Sequence, residues 1–186
     1  MIQKDITANE RLYWYAMSAT FNRVLKAKEL LGKEGIACFS PMKYEARKVR
    51  GHKVRQLVPA ISNLIFVHAT NSELLRFKQK TPFLQFLTQK VDKGKVVKII
   101  VPDRQMEQFI AVCTHNQESV IYFKPEELNL SKGMKVRIHG GPFDMMEGVF
   151  IKTKGSRNKR VVIQIEGIAV VATADINPDL LEVISE

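Results

Sequence analysis

Apolar residues along the first two thirds of the chain fall into short runs that switch between two periods. Residues 12–19, LYWYAMSA, are aromatic-rich and bounded by charge before and TFN after, the pattern of a buried or half-buried strand. In residues 21–35, FNRVLKAKELLGKEG, apolar Phe21, Val24, Leu25, Leu30 and Leu31 recur at helical spacing, and Gly32 or Gly35 supplies the stop. Residues 37–69 begin and end as strand, with a polar, basic hairpin arm between that turns near RGHK; NLIFVHA, 63–69, reads as the central strand. Asn71 or Ser72 is the expected N-cap of a helix carrying Leu74, Leu75 and Phe77 and ending at Thr81 and Pro82. A short strand, FLQFL, and a Lys-rich turn, VDKGK, follow. Pro102 and Asp103 then open a helix with Met106, Phe109, Ile110 and Cys113 at i, i+3, i+4 and i+7.

From residue 114 the pattern fades, which predicts a linker over 115–128 with residual packing around Ile121, Tyr122 and Phe123. Beyond it lie short alternating runs, MKVRI, EGVFIKT, RVVIQIEG, IAVVATA and LLEVI, separated by Gly, Pro or charged turns and with no helix. Within these, Val136, Ile138, Val149 and Ile151 are expected to alternate inward. The expected fold is α+β: an α/β sandwich over 10–114, then a small β-barrel over 129–186, an arrangement that removes exposed sheet edges.

Charge changes the picture. Lys and Arg outnumber Asp and Glu 29 to 19, and residues 1–127 carry 21 basic and 12 acidic side chains against 8 and 7 in 128–186. The excess favours a polyanionic partner and places it at the first part of the chain. Its densest stretch is the arm, where Lys43, Arg47, Lys48, Arg50, Lys53 and Arg55 face one acid, Glu45. Such an arm suits phosphate contacts with DNA or RNA, and equally a solvated hairpin. A second run, Lys152, Lys154, Arg157, Lys159 and Arg160, reads as a solvated turn of the barrel.

Reactive chemistry is not indicated. His52, His68, His115 and His139 have no paired spacing, Cys38 and Cys113 have no metal-ligand spacing, and no nucleophile constellation or phosphate-cradling glycine loop is present. The expectation is a non-enzyme with no catalytic residues, no metal and no cofactor. The start lacks the apolar run of a signal peptide and no stretch reaches the ~18 apolar residues of a membrane span, so a cytoplasmic monomer without membrane contact is expected.

Residues 132–152, KGMKVRIHGGPFDMMEGVFIK, set a glycine-proline turn between two alternating runs. Gly133, Val136, Gly141, Pro142, Phe143 and Gly148 resemble the KOW motif that opens the SH3-like barrel of NusG-type transcription factors, with LLEVI where its last strand falls. Residues 14–31 are similar to the first strand and helix of the NusG N-terminal domain, and VPAISNLIFV to its central strand. KRVVIQIEGIAVVATADI is closest to specialised, UpxY-like paralogues that accompany polysaccharide gene clusters.

The resemblance implies an elongation and antitermination factor that sits on the RNA polymerase clamp helices, suppresses pausing, and recruits partners through the KOW domain. It implies polymerase-binding positions at Trp14, Ile61, Leu64, Phe66 and Phe83, with Asn71 and Ser72 toward the opposite pincer of the enzyme. Alternation leaves open whether Leu64 and Phe66 or Ile65 and Val67 face the core. The chain departs from the family at Ser62 and Asn63, where Pro-Gly is usual, at Met145, where a small residue is commoner, and at Glu166, in place of an aromatic that contacts Rho or a ribosomal protein. Charge at that anchor should weaken the contact. The competing reading is a KOW-containing RNA-binding protein of the ribosome or its assembly.

Overall fold

The structure, a computed structural model, describes residues 11–115, 120–123, 133–152, 159–165, 168–176 and 178–184. In chain order these give β1 (Tyr13–Ala19), α1 (Val24–Lys33), β2 (Ala37–Phe39), β3 (Met42–Val49), β4 (His52–Pro59), β5 (Leu64–Ala69), α2 (Asn71–Lys80), β6 (Leu84–Phe86), β7 (Thr88–Lys90), β8 (Val96–Lys98), β9 (Ile100–Val101) and α3 (Asp103–His115). They continue as β10 (Ile121–Phe123), β11 (Met134–Ile138), β12 (Glu147–Lys152), β13 (Lys159–Ile165), β14 (Ala169–Asp175) and β15 (Leu181–Val183). The chain is mixed α/β and forms two compact units, one of residues 1–40 and 62–103, the other of 41–61 and 104–186.

The first unit is an antiparallel sheet ordered β2-β5-β1-β6, with β9 also pairing β1. β1 and β5 zip together from Tyr13 opposite Ala69 to Ser18 opposite Leu64. This register puts Tyr15, Met17, Ile65 and Val67 on one face, where they join Val24, Ala27 and Leu31 of α1 and Leu74 and Phe77 of α2 in one core. Leu64 and Phe66 point to the opposite face and are buried as well, as are Ala16 and Val101 beside them. Both sets that alternation offered as core are therefore core, which explains why β5 is an unbroken apolar run.

Two boundaries differ from those expected. α1 starts at Val24, and Phe21 lies outside it with φ 60°, followed by Asn22 at φ 56°. Leu25 is half exposed, so the helix buries the narrower stripe Val24, Ala27 and Leu31. The N-cap of α2 is Thr70, one residue before the expected pair. Its Oγ1 accepts from the Glu73 amide at 3.2 Å while the Glu73 carboxylate accepts from the Thr70 amide at 2.9 Å, a reciprocal capping box.

In the second unit β3 and β4 form a two-stranded ribbon, and six strands run in the order β10-β14-β13-β12-β11-β15. Ile121, Tyr122 and Phe123, where residual packing was expected, pair with Ala172, Val171 and Val170. β10 and β15 are the two ends of this path, so the pairings among the described residues do not close into the expected barrel. Val136 and Ile138 are buried as expected, whereas Val149 and Ile151 are only half buried. Val161, Val162 and Ile163 are all buried, because a register shift between Arg160 and Val162 breaks the alternation of β13. Within this unit Gln105 of α3 donates to the Gln164 carbonyl of β13 at 2.7 Å.

Because one hydroxyl organises the start of α2, Thr70→Ala should cost about 1 kcal/mol and Asn71→Ala only a few tenths, read from denaturant midpoints of the two variants. Equal losses would place the cap wrongly.

Candidate functional site

The residues singled out on the first unit do not meet in one patch. β5 runs about 17 Å between its ends at the usual strand rise. Trp14 sits near the end where Asn71 and Ser72 begin α2, and it stacks on its cross-strand neighbour His68, with ring centroids 4.8 Å apart and planes 17° apart. Phe83 sits at the other end, where its carbonyl accepts from the Thr20 amide at 3.0 Å and hydroxyl at 3.1 Å. Leu64 and Phe66 lie between and are buried, while Trp14, Asn71, Ser72 and Phe83 are half buried; Ile61, also half buried, belongs to the second unit.

One feature of the Phe83 end escaped sequence reasoning. Phe21, 81% exposed, stands beside Arg23, whose guanidinium lies 5.5 Å from the Phe21 ring and 5.3 Å from the Phe83 ring. Asn63 fixes this turn, accepting the Asn22 amide on its side chain at 2.9 Å and the Ala19 amide on its carbonyl at 2.7 Å. The signal was hidden because Phe21 continues the helical spacing of α1.

The basic arm is the ribbon of the second unit. β3 and β4 pair from Met42 opposite Pro59 to Val49 opposite His52, leaving Arg50 and Gly51 as a two-residue turn at φ 50° and 85°. Positive φ at both positions is the type I′ geometry that matches strand twist. Nearly every ribbon side chain is half or fully exposed, so the register decides which charges share a face. Lys48, Lys53 and Arg55 share one face with Tyr44, and the Arg55 guanidinium lies 4.1 Å from the Tyr44 ring centroid. Lys43 and Arg47 are on the other face, where Arg47 is bound to the arm's acid, Glu45, at 3.2 Å. The six cations thus divide, and one face holds three of them with an aromatic and no carboxylate from the ribbon. Lys48 and Lys53 are directly opposed, an arrangement that costs stability unless an anion relieves it. A shallow groove lined by Lys43, Tyr44, Lys53, Arg55 and Val120 runs beside it.

The sequence matches the family described as "Transcription termination factor nusG" over residues 12–110, more than half of the chain. It belongs to the NusG family. Comparison with curated proteins gave no match. NusG-family proteins are non-enzymatic transcription factors that bind RNA polymerase. The thiols accord with a non-catalytic role: burial pushes Cys113 up to about 12 and also raises Cys38, opposite to what a nucleophile needs. Among the described residues no cluster of His, Cys, Asp and Glu has the makings of a metal site, and no helix is long and apolar enough to cross a membrane.

The C-terminal turn lies outside the matched region of this NusG-family chain. Gly140 and Gly141 have φ 82° and 71°, and Gly141, Pro142 and Phe143 form a 3-10 turn with Phe143 buried against His115, ring centroids 5.0 Å apart. Met145 has φ 60°, a left-handed backbone region that non-glycine residues adopt uncommonly. Gly133 and Gly148 serve differently, since a Cβ on Gly133 would meet Val149 Cγ1 at 2.2 Å and one on Gly148 would meet the Val162 carbonyl oxygen at 2.7 Å. Glu166, Lys154 and Arg157 lie outside the described residues, and of Lys152 and Lys159 only the strand positions are described. Arg137 bonds Glu147 at 2.9 Å across β11 and β12 and holds that carboxyl below the usual range.

These roles separate experimentally. Gly148→Ala pushes a methyl group into the neighbouring strand and should cost about 1–3 kcal/mol. Gly141→Ala meets open space and should cost about 1 kcal/mol from backbone strain alone. Denaturation of the two variants checks the order.

Proposed function

We propose that the chain is a polymerase-bound elongation factor, a specialised NusG paralogue that suppresses pausing and termination on particular operons in the cytoplasm. The family match over residues 12–110 carries this reading, because it spans the whole sheet of the first unit. In this reading the N-terminal domain, residues 10–114, docks on the polymerase clamp helices through half-buried Trp14, Ile61 and Phe83, while Asn71 and Ser72 face the opposite pincer. Leu64 and Phe66 shape that surface from within. Phe83 lies at the opposite end of β5 from Asn71 and Ser72, a separation that suits a protein touching two sides of a cleft. The three-cation face of the ribbon adds contact with nucleic acid passing the enzyme.

Residues 129–186 are, in this reading, a KOW module of the SH3-like class, and β10, within the 115–128 stretch before it, pairs with β14 of the same sheet. Gly141, Pro142 and Phe143 form its turn, Val136 is buried in β11, and Gly133 and Gly148 allow close approach of neighbouring strands, features that support the assignment. It recruits a further protein. Glu166 makes that partner something other than the apolar-binding site on Rho or a ribosomal protein.

The test is a pause assay with polymerase from the same cell. Wild type should shorten pause lifetimes, and Ile61→Glu should raise the concentration needed by tenfold or more while leaving the fold intact, since Ile61 is half buried. Leu64→Glu is unsuitable, because a charge at a 4% exposed position would unfold the sheet. No effect on pausing, together with tight salt-sensitive binding to RNA alone, would favour the ribosome-type alternative.

A further inference from the structure

The first unit carries a lysine-rich surface that none of the roles above uses. β7 and β8 form a hairpin with Thr88 opposite Lys98 and Lys90 opposite Val96. Lys90 and Lys98 therefore share one face. The turn between the strands presents Lys93, at φ 60°, and Lys95, both exposed. At the base of the hairpin two ammonium groups converge on one ring: Lys98 Nζ is 4.0 Å and Lys78 Nζ, from α2, 4.6 Å from the Phe86 centroid.

Neither cation is paired with a carboxylate among the described residues; Lys98 donates to Asn71 Oδ1 and Lys78 to Gln85 Oε1, both neutral. The acids nearest in the chain are Asp92, in the turn, and Glu73, whose carboxylate is engaged in the α2 cap. Five lysines thus gather with little to neutralise them. Holding like charges together is unfavourable, and a negatively charged ligand removes the cost. Partial burial and the neighbouring Lys78 lower the pKa of Lys98, the direction such crowding produces.

We infer that Lys78, Lys90, Lys93, Lys95 and Lys98 form a second nucleic-acid surface that binds the phosphodiester backbone. Lysine is a compact point charge without the planar fork that reads base edges, so the contact is independent of sequence. The surface is distinct from the ribbon, which belongs to the other unit, and it does not depend on polymerase docking.

The test is binding of the full chain to a labelled nucleic-acid duplex of arbitrary sequence over a range of salt concentrations. Each phosphate contact adds about 0.9 to the slope of log K against log salt. A Lys90→Gln, Lys93→Gln, Lys98→Gln variant should lower the slope by about 2–3. A Lys90→Gln, Lys93→Gln, Lys95→Gln variant, which spares the Asn71 contact, should do the same. As control, Lys26, Lys28 and Lys33 of α1 changed to Gln should leave the slope unchanged. An unchanged slope in both hairpin variants, or an equal fall in the α1 control, would overturn the inference. The readout is separate from the pause assay, so failure of one leaves the other standing.

Discussion

β5 keeps Leu64, Ile65, Phe66 and Val67 out of water on both faces, and the first unit is arranged around that requirement. A strand buried on both sides must have its amides and carbonyls satisfied by neighbours, and β1 and β2 supply them from either edge. Helices α1 and α2 then cover the Ile65 and Val67 face. Ser40 caps the arrangement by donating its hydroxyl to the Leu64 carbonyl at 2.8 Å from a buried position. Half-buried aromatic side chains are consequently found toward the ends of the sheet, at Trp14 and Phe83.

The ribbon obeys the opposite logic. β3 and β4 bury almost nothing, so their side chains are free to be charged, and the two-residue turn fixes which charges stand together. A change of register by one residue would move Lys53 and Arg55 to the face of Glu45. Apolar burial and exposed positive charge are thus carried by different parts of the chain, the one by the sheet and the other by the two hairpins.

Element types were largely legible in the sequence, because strands such as β5 and helices such as α2 and α3 carry strong periodicity. The β5 faces were not, since an unbroken apolar run contains no alternation to read. The capping box at Thr70 and Glu73 was present as a T-x-x-E pattern but was masked by Asn71 and Ser72, which have the same chemistry. Phe21 was misplaced because its spacing to Val24 is helical while its backbone is a left-handed turn fixed by Asn63, far away in sequence. The candidate site divided likewise. The ribbon cations were legible as a group, but their faces required the register, and the Lys78 and Lys98 convergence required tertiary structure.

The most direct measurement is amide hydrogen exchange on the full chain, alone and with saturating clamp-helix fragment of the polymerase from the same cell. Docking on the clamp helices should slow exchange in the turn over residues 60–63 and around Trp14 and leave the ribbon tip at Arg50 and Gly51 unchanged. Exchange that is the same with and without the fragment throughout residues 12–110 would contradict it.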